Sequence, residues 1–123
     1  MPLIDITDGN FRETYTNNEI IILDFWAPWC GPCQAFAPIF EEVSKQYPEI
    51  VFGKVNTEEE QKLALHFQIR SIPTIMVIRD QLEVFFQPGL LPEEQLIELI
   101  AAVKNLDMGE VRRKIEEEEA KNN

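Results

Sequence analysis

Apolar and polar residues alternate along this chain with two periods, one typical of strands and one typical of helices. Strand-like segments, rich in β-branched and aromatic residues, lie at 3–6, 20–26, 50–56, 74–79 and 82–87. Helical spacing of apolar residues predicts intervening helices over about 8–17, 31–47 and 57–67, and a fourth helix that begins at 92. The segment 20–26 is apolar on both faces, which is typical of a central strand covered by helices on each side.

The order of these elements is βαβαβ, then α, then ββα, which predicts an α/β fold with a central five-stranded mixed sheet and helices on both faces. Asp8 and Thr57 are candidate caps for the first and third helices, and Pro92 suits the first position of the fourth. Asp80 and Gln81 alone separate the last two strands, so these strands form an antiparallel hairpin.

Beyond Leu106 the hydrophobic pattern weakens to a thin stripe of Met108, Val111 and Ile115. Four glutamates at 116–119 would place negative charge at a helix C-terminus, where the helix dipole opposes it. We therefore divide the chain into one domain, residues 1–106, and a short acidic helical extension, residues 107–123, which packs loosely and frays. A tail that docks on a partner is the functional alternative.

The composition limits the number of domains, the kinds of partner and the compartment that we expect. The 123 residues suffice for one compact domain, and the net charge of -11 argues against nucleic acid or an anionic membrane surface as the main partner. The sequence contains neither a run of about 18 apolar residues nor an N-terminal targeting pattern, so we expect a cytoplasmic protein without a membrane span. In a reducing cytosol, a lone cysteine pair is more often catalytic or metal-binding than structural.

The candidate chemistry lies in Trp29-Cys30-Gly31-Pro32-Cys33, which contains both cysteines of the chain. A disulfide across two residues constrains little chain entropy, so the spacing favours thiol–disulfide exchange over a structural role. Cys30 would lie at the start of a helix, where unpaired amides lower its pKa, and Cys33 would lie one turn further in and be more buried. Pro32 limits the turn, and Gly31 leaves the approach open.

Two other interpretations of the cysteine pair remain. A structural zinc site needs about four ligands, whereas this chain offers two cysteines and the distant His66, so we expect no metal. A static disulfide is the second alternative, and a reducing compartment disfavours it.

The chain resembles the thioredoxin family from about residue 3 to residue 105. The resemblance rests on three motifs in the family's order and spacing, namely Asp24-Phe25-Trp26-Ala27, the cysteine motif, and Ile72-Pro73-Thr74. It implies the thioredoxin fold, with four helices around the sheet before the C-terminal extension. It also implies that Cys30 is the attacking thiolate and Cys33 the resolving thiol, and that the Ile72–Pro73 peptide bond is cis.

Asp24 lies in the middle of an apolar strand, where a carboxylate is costly to bury. It should therefore pair with a cation or have a raised pKa, unless the strand end frays. The resemblance implies that Asp24 accepts the proton of Cys33, as a general base. It also makes Lys54, on the next predicted strand, a candidate neighbour of Asp24, with a solvent-exposed lysine as the alternative.

A substrate groove is also implied by the resemblance. A cis-proline loop presents backbone groups to an extended segment, which it holds with little side-chain selectivity. Trp26 would pack beside the site, and Trp29 would be exposed at its rim. The positions that match the groove are Trp29, Gly31, Pro32, Ile72, Pro73, Thr74 and Gly89.

The function that follows is a thiol–disulfide oxidoreductase, a protein-disulfide reductase that maintains cell redox homeostasis. The resemblance implies disulfide-containing protein substrates and a flavin- and NADPH-dependent thioredoxin reductase as partners. We expect a monomer that itself needs no bound cofactor. The alternative is a binding module or folding helper for one dedicated partner, and the direction of exchange depends on the reduction potential.

Some positions depart from the family pattern. Gln34 stands where many thioredoxins have lysine, which removes a positive charge beside the thiols. Gln81 replaces the usual glycine of the hairpin and predicts a strained turn, and Pro88 stiffens the loop before Gly89. These departures concern partner choice more than the reaction.

Overall fold

The computed structural model describes residues 3–122, and its ten elements follow the predicted order. The strands are β1 (Leu3–Asp5), β2 (Ile20–Trp26), β3 (Val51–Asn56), β4 (Thr74–Arg79) and β5 (Leu82–Pro88). The helices are α1 (Phe11–Asn17), α2 (Gly31–Ser44), α3 (Gln61–His66), α4 (Glu93–Lys104) and α5 (Met108–Lys121).

The strands form one mixed sheet in the order β1-β3-β2-β4-β5. β3 runs parallel to β1 and β2, whereas β4 is antiparallel to β2 and β5, so β2 is central. At one end of the sheet Phe25 is opposite Thr74, and at the other Ile20 is opposite Arg79. We call these the reactive end and the far end. The reactive end brings the cysteine motif and the Ile72-Pro73-Thr74 motif together.

Each face of β2 packs into a separate apolar core, because successive side chains of a strand point to opposite faces. Ile20 and Ile22 pack on one face against α2 and α4, with Phe36, Phe40, Leu96, Ile100 and Val103. Ile21, Leu23 and Phe25 pack on the other face against α1 and α3, with Leu63, Phe11 and Phe67. The prediction of a strand buried on both faces is confirmed.

The hairpin between β4 and β5 is confirmed, and both residues of its turn have positive φ, 52° at Asp80 and 66° at Gln81. This combination matches the two-residue turns that suit the twist of a hairpin, which usually contain asparagine, aspartate or glycine. Gln81 therefore occupies a left-handed conformation that costs a side-chain-bearing residue about 1 kcal/mol. Tyr15 Oη donates a hydrogen bond to the Gln81 carbonyl at 2.5 Å, which fixes the turn to α1.

Three predicted helix starts are wrong in detail. α1 begins after Asn10, and the Asp8 carboxylate instead accepts the Leu63 amide at 3.0 Å, so it caps α3. Thr57 precedes α3 by four residues, and its hydroxyl donates to the Trp26 carbonyl at 3.0 Å. Pro92 is the N-cap of α4 rather than its first residue. Asp8 and Thr57 differ from the prediction because each side chain forms a long-range hydrogen bond in place of a local cap.

The C-terminal extension forms α5, which at 14 residues is as long as α2 and longer than the short helix predicted. None of its residues is buried, which agrees with the predicted loose packing. The Asp107 side chain caps it by accepting the Glu110 amide at 3.1 Å. Arg112 donates to the Asp80 carbonyl at 3.2 Å, so α5 contacts the hairpin turn at the far end. Across residues 3–122, no helix is long and apolar enough to cross a membrane.

Candidate active site

The two cysteines lie where β2 passes into α2. Cys30 is the N-cap of α2, and it forms a disulfide with Cys33, whose Cα lies 5.2 Å away. The Cys33 amide donates to Cys30 Sγ at 3.2 Å. This amide is one of the groups at a helix N-terminus that lack a partner within the helix, and together with the helix dipole it favours negative charge on Cys30.

Burial hardly distinguishes the two cysteines, which are 4% and 3% exposed. Cys33 is the more buried cysteine, as expected, but by only one percentage point in this disulfide form. The asymmetry between the thiols lies instead in hydrogen bonding, because only Cys30 Sγ is at the capping position. Ala27, Trp26 and Ile72 surround the pair and exclude water from most of its surface.

The loop before β4 lies against the cysteines, and the Ile72–Pro73 peptide bond is cis, as the resemblance predicts. The Ile72 carbonyl oxygen is 3.7 Å from Cys30 Sγ. The Gly89 amide donates to the Pro73 carbonyl at 2.7 Å, and Gly89 has a φ of 94°, which favours glycine. The buried Thr74 hydroxyl donates to the Ser71 carbonyl at 2.7 Å. The loop before β4 and the loop after β5 are thus joined by a hydrogen bond beside the disulfide.

The two tryptophans occupy the predicted environments. Trp26 is partly buried and packs against the cysteine cluster. Trp29 is 68% exposed at the rim, and its indole nitrogen donates to Glu58 Oε1. Glu58 is a residue of the site region that the sequence did not single out, because a run of three glutamates resembles the acidic first turn of a helix.

Asp24 is fully buried in the face of β2 that carries Ile20 and Ile22, which is the face covered by α2. Neither carboxylate oxygen has a hydrogen-bond partner among residues 3–122. Burial raises the pKa of Asp24 from 3.8 to about 7, and the positive charge of Lys54 partly offsets that effect. Of the two expectations for this residue, a raised pKa fits this environment better than a direct pair with a cation.

Lys54 is next to Asp24 in the sheet, since the two residues are paired in the parallel register of β2 and β3. Its ammonium group lies over the Trp26 ring, 4.7 Å from the centroid. The ion pairs found within residues 3–122 do not include Asp24 with Lys54. Lys54 is therefore a neighbour that acts through its field and not through a direct bond.

Gly31 and Pro32 are exposed between the cysteines, and a Cβ built on Gly31 would meet no atom within 4 Å. The space beside Gly31 is therefore open, and access of a substrate to the disulfide from this side stays a prediction. Gln34 is exposed on the first turn of α2, and its amide donates to the Pro28 carbonyl at 2.9 Å. This hydrogen bond joins the active-site loop to the helix. The side chain is neutral, whereas many thioredoxins have lysine at this position.

Within the described part of the chain, no three histidine, cysteine, aspartate or glutamate residues are grouped so that they could hold a metal ion. The chemistry available at this site is that of the two sulfurs and the buried carboxylate.

Comparisons with known proteins agree with this geometry. The family model for Thioredoxin matches residues 2–102. "Putative thioredoxin 2" of Streptomyces coelicolor is 48% identical over 117 residues, which cover 95% of this chain and 87% of the relative. Thioredoxin of Haemophilus influenzae is 38% identical over 100 residues, 80% of this chain and 94% of the relative. The solved structure of a mutant thioredoxin from Halobacterium salinarum NRC-1 has a TM-score of 0.78 at 28% identity, and the match covers 85% of this chain and 92% of that chain.

A cysteine pair at the start of a helix, in this fold and with these relatives, defines a dithiol–disulfide oxidoreductase that acts on proteins. The chain belongs to the thioredoxin family. The family implies disulfide-containing proteins and a thioredoxin reductase as its kinds of partner.

Proposed function

We propose that this protein works as a reductant of protein disulfides, with Cys30 as the attacking thiolate and Cys33 as the resolving thiol. The observation that supports this order most is the hydrogen bond from the Cys33 amide to Cys30 Sγ, 3.2 Å long, at the N-terminus of α2. It favours the thiolate of Cys30, and the thiolate is the nucleophile in exchange.

The reaction has two exchange steps. The Cys30 thiolate attacks one sulfur of a substrate disulfide, a bond forms between Cys30 and that sulfur, and the other substrate sulfur leaves as a thiolate. Cys33, once deprotonated, attacks Cys30 Sγ and expels the first substrate sulfur. Two electrons pass to the substrate, and the Cys30–Cys33 disulfide remains.

Asp24 is proposed as the general base that takes the proton from Cys33. A carboxyl group with a pKa of about 7 is divided between its two protonation states near neutral pH, so it can both accept and release a proton. The field of Lys54 keeps that pKa from rising further. Lys54 is therefore proposed to tune the base and not to contact the substrate.

The substrate segment is proposed to lie in the cleft between the active-site loop and the cis-proline loop. Its proposed contacts are Trp29, Gly31, Pro32, Ile72, Pro73, Thr74 and Gly89. Two observations support this choice, because Ile72 packs against the cysteines and the space beside Gly31 is open. Backbone groups of the cis-proline loop would bind the main chain of an extended segment, which explains tolerance of many substrates.

Regeneration is proposed to occur through a flavin- and NADPH-dependent thioredoxin reductase, in the cytoplasm, where this electron transport maintains redox homeostasis. We also propose that the protein is a monomer and that residues 1–106 form the functional domain. The extension, residues 107–123, starts at the far end of the sheet, where Arg112 contacts the hairpin turn.

An insulin-reduction assay tests the function. The wild-type protein, supplied with dithiothreitol, should accelerate insulin precipitation, and Cys30→Ser should remove the acceleration. The alternative function, a binding module for one partner, is left open by the net charge of -11 and the acidic extension. Lack of acceleration by the wild-type protein would support that alternative.

A further inference from the structure

Trp29 is a large aromatic side chain next to the attacking cysteine, and it is 68% exposed. An exposed side chain with two rotatable bonds samples several rotamers unless a specific contact holds it. Its one polar atom, the indole nitrogen, donates to Glu58 Oε1. A hydrogen bond to a carboxylate is stronger than one between neutral groups, so this contact can hold the ring at the rim.

Glu58 is itself held in place. Its amide donates to Asn56 Oδ1 at 3.0 Å, and its carbonyl accepts a hydrogen bond from Gln61 Nε2 at 3.0 Å. The preceding Thr57 is fixed to the start of the active-site loop, because its amide and its hydroxyl both donate to the Trp26 carbonyl, at 2.9 and 3.0 Å. The turn between β3 and α3 is thus a braced support for the Glu58 carboxylate.

The three consecutive glutamates of this turn have different partners. Glu59 Oε1 accepts a hydrogen bond from Asn56 Nδ2 at 2.9 Å, and Glu60 Oε1 accepts the Asp8 amide at 2.9 Å. Within residues 3–122, Glu58 alone of the three bonds to the active-site loop. The contact with the active-site loop therefore belongs to Glu58 and does not follow from the acidic character of the turn.

We propose that Glu58 is a positioning residue for disulfide exchange, which fixes the Trp29 indole in the orientation that an incoming protein segment contacts. The inference rests on the proposed function, in which Trp29 flanks the substrate. Glu58 takes no part in proton or electron transfer. Its effect should therefore appear with protein disulfides, which reach Trp29, and not with a disulfide too small to contact the ring.

The test measures the rate at which the fully reduced protein is oxidised in a single turnover, by acid quenching and thiol alkylation. Insulin is the protein disulfide, and hydroxyethyl disulfide is the small one. Glu58→Ala should slow the reaction with insulin about three- to ten-fold and leave the reaction with hydroxyethyl disulfide unchanged. Glu58→Gln, whose amide oxygen still accepts the indole proton, should restore most of the rate with insulin.

Glu41→Ala is the matched control, because Glu41 is an exposed glutamate on α2 and its loss changes the net charge equally. It should leave both rates unchanged. A second readout is the pair of indole cross-peaks in a ¹H–¹⁵N spectrum, assigned with Trp29→Phe. Exchange of the Trp29 indole proton with water should be slow in the wild-type protein and in Glu58→Gln, and fast in Glu58→Ala.

Equal rates with insulin for Glu58→Ala and the wild type would overturn the positioning role. Equal slowing by Glu58→Gln and Glu58→Ala would also overturn it, because the lost charge would then be the cause. Equal slowing with insulin and hydroxyethyl disulfide would overturn it as well, because a change in thiol reactivity would then be the cause. Failure of the wild-type protein to reduce insulin would overturn the proposed function together with this role. The positioning role fails alone when the wild type is active and Glu58→Ala matches it.

Discussion

At the reactive end of the sheet, both oxygens of the Asp24 carboxylate and the indole nitrogen of Trp26 are buried without a hydrogen-bond partner among residues 3–122. At the far end, Arg79 Nη1 donates to the carbonyls of Val103, Lys104 and Leu106, at 2.6, 3.3 and 2.9 Å. Among residues 3–122, the Nε atom of this arginine is the one buried polar side-chain atom at the far end without a hydrogen-bond partner.

The reactive end therefore contains a group suited to proton transfer, whereas the far end contains contacts that stabilise the fold. A buried, unbonded carboxylate destabilises the folded state but has a pKa suited to proton transfer. The far end has the opposite arrangement, because Arg79 satisfies carbonyls at the end of α4 that the helix itself leaves unpaired. The hairpin turn beside it is bonded by Tyr15 and Arg112.

The largest expected effect on stability comes from Asp24→Asn. Burial raises the pKa of Asp24 to about 7 in the folded protein, whereas it is 3.8 in the unfolded chain. At pH values between these two pKa values, the folded state binds more protons than the unfolded state. The free energy of unfolding is therefore largest below pH 4 and falls as the pH rises to 7. The loss approaches about 4 kcal/mol.

The asparagine variant cannot ionise, so it should exceed the oxidised wild-type protein in stability by up to about 4 kcal/mol at pH 8, with no excess near pH 4. Urea unfolding at several pH values measures this difference. Asp5→Asn, at an exposed position on β1, is the control and should gain little at any pH. A gain for Asp24→Asn that does not vary with pH would contradict the raised pKa.

The second-largest effect is expected at the far end, and it is a loss of stability. Arg79→Met keeps the apolar stem but removes the donor to three carbonyls, so it should lower the free energy of unfolding by roughly 2–4 kcal/mol. Urea unfolding gives that value. The folded variant should reduce insulin at the wild-type rate, and a loss of rate in fully folded protein would show that the two ends are coupled.

The smallest effect is a gain at the hairpin turn. Gln81→Gly places glycine at a φ of 66°, which relieves about 1 kcal/mol of backbone strain and is partly offset by the greater entropy of the unfolded chain. A net stabilisation of about 0.5 kcal/mol is expected from urea unfolding. Gln87→Gly within β5 is the control and should destabilise, so a loss at Gln81 as well would contradict the strain.

Most of the fold could be predicted from the sequence because strands and helices here follow their hydrophobic periods closely. The bounds of β2 were predicted correctly. Helix starts were less accurate, because Asp8 caps α3 across the fold rather than its own helix. The length of α5 was underestimated, since its support from Arg112 and the hairpin turn is a tertiary contact that no local pattern contains.

At the site, the cysteine pair, Asp24 and the cis-proline loop could be inferred from motifs, and their proximity follows from the register of β2 and β4. The proposed roles of these residues stay predictions. The contact between Trp29 and Glu58 was not predicted, because it joins two loops 29 residues apart whose approach depends on how the sheet ends. The small size of the difference in burial between the two cysteines was also not predicted, since position in a helix alone does not fix exposure.

The order of attack is tested most directly by trapping. Cys33→Ser and Cys30→Ser are each reduced, incubated with insulin, alkylated and analysed by intact mass spectrometry without reductant. Cys33→Ser should accumulate a mixed disulfide between Cys30 and an insulin chain, and Cys30→Ser should accumulate little. Trapping by Cys30→Ser and not by Cys33→Ser would contradict the assignment of Cys30 as the attacking thiolate.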